Sequence, residues 1–237
     1  MDVSRLIKGW WIDLKSAIYP PLCEVCDRPL VDGERVICLH CNVGLPRTLS
    51  HRSSSGPVPD RLVSHAHINK VASWFYYQRA SPYTALIHHA KYHNRPMLAR
   101  ELGEIYAREI ENDGFFDNID LIIPVPMALK KETRRGYNQA MEIANGVSKV
   151  TGIPLADNLV AVKEHSTQTS RGAFDRYLNV KGLFSVENPA ELEGMHILVI
   201  DDVLTTGSTM LAACDTLWEC CTGITLSVLT LGATRLA

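Results

Sequence analysis

The chain has 237 residues and a formal net charge of −2, with 46% of its residues hydrophobic and 21% charged. This length suits one α/β domain of ordinary size together with a small appendage. The balanced charge excludes a polycation that coats nucleic acid, so any nucleic-acid contact requires a local basic patch. No apolar run approaches the length of a membrane span.

The first nineteen residues carry apolar side chains at helical spacing, namely Val3, Leu6, Ile7, Trp10, Trp11 and Leu14. This pattern predicts an amphipathic helix that docks on the rest of the protein, with a membrane-surface or partner-binding helix as the alternative. Charged residues interrupt every candidate signal-peptide core, and no small-residue cleavage site follows. We therefore expect a cytoplasmic protein in which the seven cysteines stay reduced.

Two cysteine pairs follow this segment, Cys23-x₂-Cys26 and Cys38-x₂-Cys41, with eleven residues between them. Each pair brings two thiolates onto one turn, and four thiolates complete a tetrahedral set without an open position. We therefore predict a structural Zn²⁺ held by these four cysteines, with His40 as the alternative ligand inside the second pair. Residues 1–60 are predicted to form the N-terminal helix and this Cys₄ zinc-binding module.

Residues 61–237 are predicted to form a second, larger domain. Strand-like apolar runs at 71–77, 119–126, 159–162, 183–186, 197–200 and 224–231 alternate with helical patterns at 81–111, 138–150 and 208–221. Such alternation is typical of an α/β domain with a parallel sheet. The helix that begins at residue 208 contains Cys214, Cys220 and Cys221, which we expect to be buried core thiols.

The segment from Ile197 to Thr209 carries the strongest chemical signal. Its four apolar residues end in Asp201 and Asp202, and a turn rich in threonine, glycine and serine then opens a helix. Backbone N–H groups at a helix N-terminus suit a phosphate, and paired carboxylates accept hydrogen bonds from vicinal sugar hydroxyls. A Walker A loop is excluded by the lack of Gly-Lys-Ser/Thr, and a dinucleotide fingerprint by the single glycine.

This segment resembles the 5-phosphoribosyl-1-pyrophosphate (PRPP) motif of type I phosphoribosyltransferases. The resemblance implies a Rossmann-like parallel sheet flanked by helices, with Asp201 and Asp202 on the ribose hydroxyls. It implies that the following turn holds the 5′-phosphate, so that the PRPP-binding residues are Asp201, Asp202, Val203, Leu204, Thr205, Thr206, Gly207, Ser208 and Thr209. Mg²⁺ is expected to arrive with PRPP, bound mainly by pyrophosphate and ribose oxygens.

The resemblance also implies two loops that contact the leaving pyrophosphate. Their expected contributors are Lys130, Arg134, Arg135, Gly136, Asn138 and Gln139 in the first loop and Arg171 and Arg176 in a mobile second loop. For Lys130, a solvated basic loop is an equally compatible interpretation. Arg134 and Arg135, beside Gly136, are expected to act catalytically together with the two aspartates.

The order of motifs along nearly the whole chain resembles the ComF family. It runs from the Cys₄ module through Pro-Val-Pro, Arg-Gly-Tyr-Asn-Gln and Thr-Gln-Thr to the PRPP loop. The resemblance implies a protein that transfers a phosphoribosyl group from PRPP to an unknown acceptor and is linked to uptake of transforming DNA. The alternative is a non-catalytic accessory protein that binds PRPP or handles single-stranded DNA together with the uptake machinery.

Overall fold

A computed structural model describes residues 20–62, 67–92, 95–127, 136–162 and 182–235. The predicted helix at 1–19 lies outside these ranges. Chain contacts divide the protein into two compact units, with the division between Leu45 and Pro46.

The smaller unit is built from two tight turns and one short helix, α1 (Leu39–Val43). The first turn is closed by Asp27 N–H donating to the Cys23 carbonyl at 2.9 Å. The carboxylate of Glu34 accepts from the backbone N–H groups of Val31 at 3.0 Å and Leu39 at 2.6 Å, which ties the second turn to the start of α1. Because few residues here are buried, this unit has little apolar core of its own.

The larger unit contains six strands and four helices in its described part. The strands are β1 (Ile68–Tyr76), β2 (Leu121–Pro124), β3 (Leu159–Ala161), β4 (Phe184–Val186), β5 (His196–Leu204) and β6 (Thr225–Ala233). The helices are α2 (Thr84–Tyr92), α3 (Pro96–Ile110), α4 (Gln139–Thr151) and α5 (Ser208–Cys220). The predicted α/β class is thereby confirmed.

Four strands form one parallel sheet in the order β1-β6-β5-β2. The run from Ile197 to Ile200 in β5 is completely buried, and every residue of β6 after Thr225 is buried too, as expected for strands covered on both faces. The strands β3 and β4 form a separate antiparallel pair. Since parallel strands end at the same edge, the ends of β2 and β5 meet there, with Pro124 paired to Ile200.

The helices α3 and α4 cross at two glycines, Gly103 and Gly146. A Cβ atom on Gly103 would overlap the carbonyl oxygen of Ile143, and one on Gly146 would overlap that of Arg100. The two backbones therefore touch without intervening side chains. This contact fixes the middle of α4, whose N-terminal cap Asn138 is hydrogen bonded to Val125 just after β2.

The two cysteines of α5 and Cys221, which follows the helix, differ in exposure. Cys214 and Cys221 are buried, as predicted for core thiols, and burial raises the pKa of both. The prediction was wrong for Cys220, which is exposed. It is the last residue of α5 and follows Trp218 and Glu219, which are also exposed, so it lies on the solvent side of the helix end.

Candidate functional site

Asp201 and Asp202 lie near the carboxyl end of the central strand β5, where its buried run gives way to half-buried residues. Asp201 pairs with Thr230 of β6, and its Oδ1 accepts a hydrogen bond from the Asp202 backbone N–H at 2.8 Å. The hydrogen bond from the Asp202 N–H helps to orient the carboxylate of Asp201. Both acids lie where the strands of an open α/β sheet present ligand-binding groups.

The turn after β5 leads directly into α5. Gly207 has φ = 89° and is the residue that caps the helix, a conformation that glycine adopts without a Cβ clash. The hydroxyls of Thr206 and Ser208 are hydrogen bonded at 2.9 Å. Ser208 N–H donates to Thr206 Oγ1 at 3.5 Å. The first turn of α5 contains no acidic residue, so the positive end of its dipole suits an anion.

Arg61 supports this turn from behind. Its guanidinium donates to the carbonyls of Leu204 at 3.3 Å and Thr205 at 3.0 Å, and also to that of Thr234 after β6. Thr234 N–H donates to the Leu204 carbonyl at 3.0 Å, so this carbonyl accepts from both Arg61 and Thr234. With its carbonyls engaged on this side, the turn is held in one conformation.

A cavity of about 330 Å³ opens at this edge of the sheet. Among the predicted PRPP residues, its lining includes Asp201, Asp202, Val203, Thr205 and Thr209. Leu204 is instead 2% exposed and belongs to the core, so only its backbone is part of the turn. The opposite wall is mostly apolar and comes from the end of β2 and from the β3–β4 pair.

Asn138 and Gln139 of the predicted pyrophosphate loop also line the cavity. Asn138 caps α4, because its side chain accepts from Ala140 N–H at 3.0 Å while its amide donates to the Val125 carbonyl at 3.0 Å. It thereby joins the end of β2 to the start of α4. Gly136 is exposed with φ = 84° and is not part of the lining. The arginines and lysine predicted to contact pyrophosphate lie outside the described residues: Lys130, Arg134, Arg135, Arg171 and Arg176.

Lys91 is a cavity residue that the sequence did not single out. It lies in the last turn of α2, and its Nζ is 2.8 Å from Oδ2 of Asp202. The two side chains are 21% and 16% exposed. The only sequence feature pointing to Lys91 was its place after the apolar positions Leu86, Ile87 and Ala90 of a short helix, which does not distinguish it from a surface lysine.

The four cysteines of the smaller unit converge on one point. Their sulfur atoms all lie within 4.8 Å of one another, and the Sγ atoms of Cys26 and Cys38 are 3.8 Å apart. A tetrahedral site with Zn–S bonds of about 2.3 Å places its sulfurs about 3.8 Å apart, so this arrangement fits a metal ion. The predicted Cys₄ set is therefore correctly positioned to hold one.

Backbone N–H groups donate to two sulfurs of this cluster, Cys23 Sγ and Cys38 Sγ. Burial opposes ionisation of Cys38, but the Cys41 backbone N–H, which lies 3.4 Å from its sulfur, and the other thiols lower the pKa of Cys38 to about 7. Cys23 Sγ accepts from the Cys38 N–H at 3.4 Å. The thiolate is the form that binds metal, and N–H donors of this kind stabilise it.

The sheet order, the acidic strand end and the phosphate-type turn define a phosphoribosyltransferase-type domain. The profile of the phosphoribosyl transferase domain matches residues 88–221, more than half of the chain, and the protein belongs to this family. Every helix in the described ranges is too short or too polar to cross a bilayer.

The similar proteins include competence-related ones, which confirms the resemblance to the ComF family. The chain is 31% identical over 212 residues to DNA utilization protein YhgH of Shigella flexneri, covering 81% of this chain and 88% of the relative. It is 28% identical over 197 residues to Competence protein F of Haemophilus influenzae, covering 80% of each. A crystal structure of adenine phosphoribosyltransferase aligns over 57% of this chain and 71% of its own, with 15% identity and a TM-score of 0.37.

Proposed function

We propose that this protein binds PRPP with Mg²⁺ and transfers its phosphoribosyl group to an acceptor during DNA uptake or utilisation. The observation that carries the proposal is that one cavity at the end of β5 is lined by two carboxylates and by Thr205 and Thr209 of the phosphate turn. The cavity volume of about 330 Å³ is at the lower end of the range for small-molecule sites.

Each part of the site has a role in this proposal. Asp201 and Asp202 accept hydrogen bonds from the vicinal ribose hydroxyls, while N–H and hydroxyl groups of the turn donate to the 5′-phosphate. Holding both ends of the ribose phosphate orients the anomeric carbon for displacement. The acceptor forms the new bond and gives up its proton as pyrophosphate leaves with the electrons of the C1–O bond.

The charge that develops on pyrophosphate needs cations. We assign this role to Arg134 and Arg135, supported by Lys130, Arg171 and Arg176, which are the arginines and lysine that the family resemblance implies. Mg²⁺ bound to PRPP oxygens supplies further charge neutralisation. The carboxylates of Asp201 and Asp202 offer the hard oxygen ligands that this cation prefers, and both line the cavity.

The names of the relatives favour a link to DNA and leave room for a second candidate. These proteins are named for DNA utilization and for competence. A PRPP-binding or single-stranded-DNA-handling accessory protein without turnover is therefore the alternative. Four thiols kept available for a metal fit a reducing compartment, which agrees with the cytoplasmic location that we propose.

Calorimetric titration with PRPP and Mg²⁺ tests the site. The variant Asp201→Asn/Asp202→Asn removes the two acceptors and is expected to lose most PRPP binding. The matched control is Asp32→Asn/Asp157→Asn, which changes two exposed aspartates outside the cavity and removes the same charge. Equal affinity of the site variant and the control refutes the assignment.

Pyrophosphate release distinguishes the two candidate functions. The protein is incubated with PRPP, Mg²⁺ and a panel of nucleobases, amines and nucleic acids. Release that depends on one acceptor supports the transferase, whereas PRPP binding without release supports the accessory protein. Direct DNA handling requires a mobility shift that persists at physiological salt, because nonspecific contacts weaken steeply with ionic strength.

We also propose that the cysteine cluster holds one structural Zn²⁺ per chain. Four sulfur ligands favour zinc and leave no position for a substrate, and a unit with so little core gains stability from the metal. Elemental analysis is expected to find one zinc per chain in the wild type and none in Cys38→Ser. The control is Cys220→Ser, which changes an exposed cysteine outside the cluster. Full zinc content in Cys38→Ser contradicts the proposal.

A further inference from the structure

A lysine from α2 reaches into the proposed ribose site. Lys91 Nζ lies 2.8 Å from Asp202 Oδ2, and both residues line the same cavity as Asp201, Thr205 and Thr209. An ion pair with both partners about four-fifths buried is screened less than a surface pair. A ligand in this cavity therefore meets a lysine as well as two carboxylates.

The position of this lysine is fixed from the backbone. The hydroxyl of Tyr137 donates to the carbonyl of Ala90, the residue just before Lys91. Tyr137 directly precedes Asn138, which caps α4 and lines the cavity. The last turn of α2 is thus held on two sides. Lys91 binds Asp202 of β5, and Ala90 accepts from Tyr137 at the end of the predicted pyrophosphate loop.

The ammonium group has donors left for a ligand. It carries three N–H donors, and within the described ranges its acceptor is Asp202 alone. Two donors therefore remain for oxygens of a bound molecule. Two adjacent carboxylates also repel a polyanion, and a cation beside them offsets that repulsion.

We propose that Lys91 contacts the pyrophosphate group of PRPP and makes the site selective for PRPP over ribose 5-phosphate. This inference rests on the proposed function. The 5′-phosphate already has its own donors in the turn from Thr205 to Thr209, which follows the two acids in the chain. Lys91 lies instead beside Tyr137, where the predicted pyrophosphate loop ends.

Calorimetry with three ligands tests this role: PRPP with Mg²⁺, ribose 5-phosphate, and pyrophosphate with Mg²⁺. Lys91→Met keeps the length of the side chain and removes its charge. PRPP and pyrophosphate are expected to bind about tenfold to a hundredfold more weakly, the scale of one hydrogen bond to a charged group. Ribose 5-phosphate is expected to stay within about twofold. Lys91→Arg keeps the charge and is expected to lose less PRPP affinity than Lys91→Met.

The control is Lys149→Met. Lys149 is also paired with a carboxylate, Glu104, at 2.8 Å, but it does not line the cavity. Its PRPP affinity is expected to match the wild type, and circular dichroism confirms that each variant is folded. Unchanged PRPP affinity in folded Lys91→Met, or an equal loss for ribose 5-phosphate, overturns the inference. Failure of the wild type to bind PRPP overturns the proposed function itself.

Discussion

Replacement of Gly207 by alanine isolates the contribution of the phosphate turn. Gly207 has φ = 89°, a region in which an L-residue is strained by about 1–2 kcal/mol. An added Cβ would also lie 3.2 Å from Cδ2 of Leu62. That atom ends a flexible side chain, so a small shift relieves the contact. We therefore expect Gly207→Ala to lower the free energy of unfolding by about 1–3 kcal/mol.

Gly152→Ala is the matched control for this change. Gly152 has φ = 73° at the end of α4, and a Cβ there meets nothing within 4 Å. Its backbone strain is therefore similar, about 1–2 kcal/mol, without the contact to Leu62. Gly152 lies at the end of α4, away from the turn that carries the cavity residues Thr205 and Thr209, so ligand affinity is expected to be unaffected.

Urea denaturation and calorimetry with ribose 5-phosphate are the two assays. Both alanine variants are expected to be less stable than the wild type, since both force a side chain into the left-handed region. Gly207→Ala alone is expected to bind ribose 5-phosphate more weakly, because its strain tilts the N–H groups of the turn. Equal ligand affinity in the two variants refutes the view that this turn holds the phosphate.

Two further predictions concern groups around the sheet edge and its opposite end. Arg61→Met removes three hydrogen bonds, two of them to the carbonyls of Leu204 and Thr205 at the phosphate turn, and is expected to weaken ribose 5-phosphate binding. The expected cost in urea denaturation is limited to about 1–3 kcal/mol, because both of these carbonyls keep bonds from Thr234. Unchanged stability contradicts the supporting role. Burial, together with the charge of Lys70, lowers the pKa of His196. The unfolded chain therefore takes up a proton below about pH 6.5 that the folded protein resists, and stability is expected to fall as pH decreases below that value. His196→Gln is expected to reduce the difference between unfolding at pH 7.5 and pH 5.5, and an unchanged difference argues against this assignment.

Local sequence patterns predicted most of the fold. The run from Ile197 to Ile200 is apolar at every position, which identifies a strand buried on both faces, and the structure places it in the centre of the sheet. Helical spacing and the N-terminal Asn138 located α4 within one residue. The helical pattern at 81–111 did not separate α2 from α3; in the structure α3 begins at Pro96, a residue that fits the first turn of a helix.

The residues around the site were harder to predict from the sequence. Asp201 and Asp202 were found because they adjoin a recognisable strand and turn. Lys91 and Arg61 were missed because each acts through partners more than a hundred positions away, and no local pattern distinguishes them from surface cations. Such contacts depend on which strands are neighbours, and that order is set by the tertiary fold.

The glycine contact between α3 and α4 limits which parts of the protein can adapt to a ligand. With backbone against backbone at Gly103 and Gly146, the helices cannot shift toward each other or slide at this crossing without a clash between main-chain atoms. The two helices therefore form one rigid pair, and the start of α4 is expected to keep its position at the cavity when a ligand binds. The cavity wall formed by Ala161, Val162, Leu183 and Phe184 lies outside this helix pair, so ligand specificity can be changed there without disturbing the glycine contact.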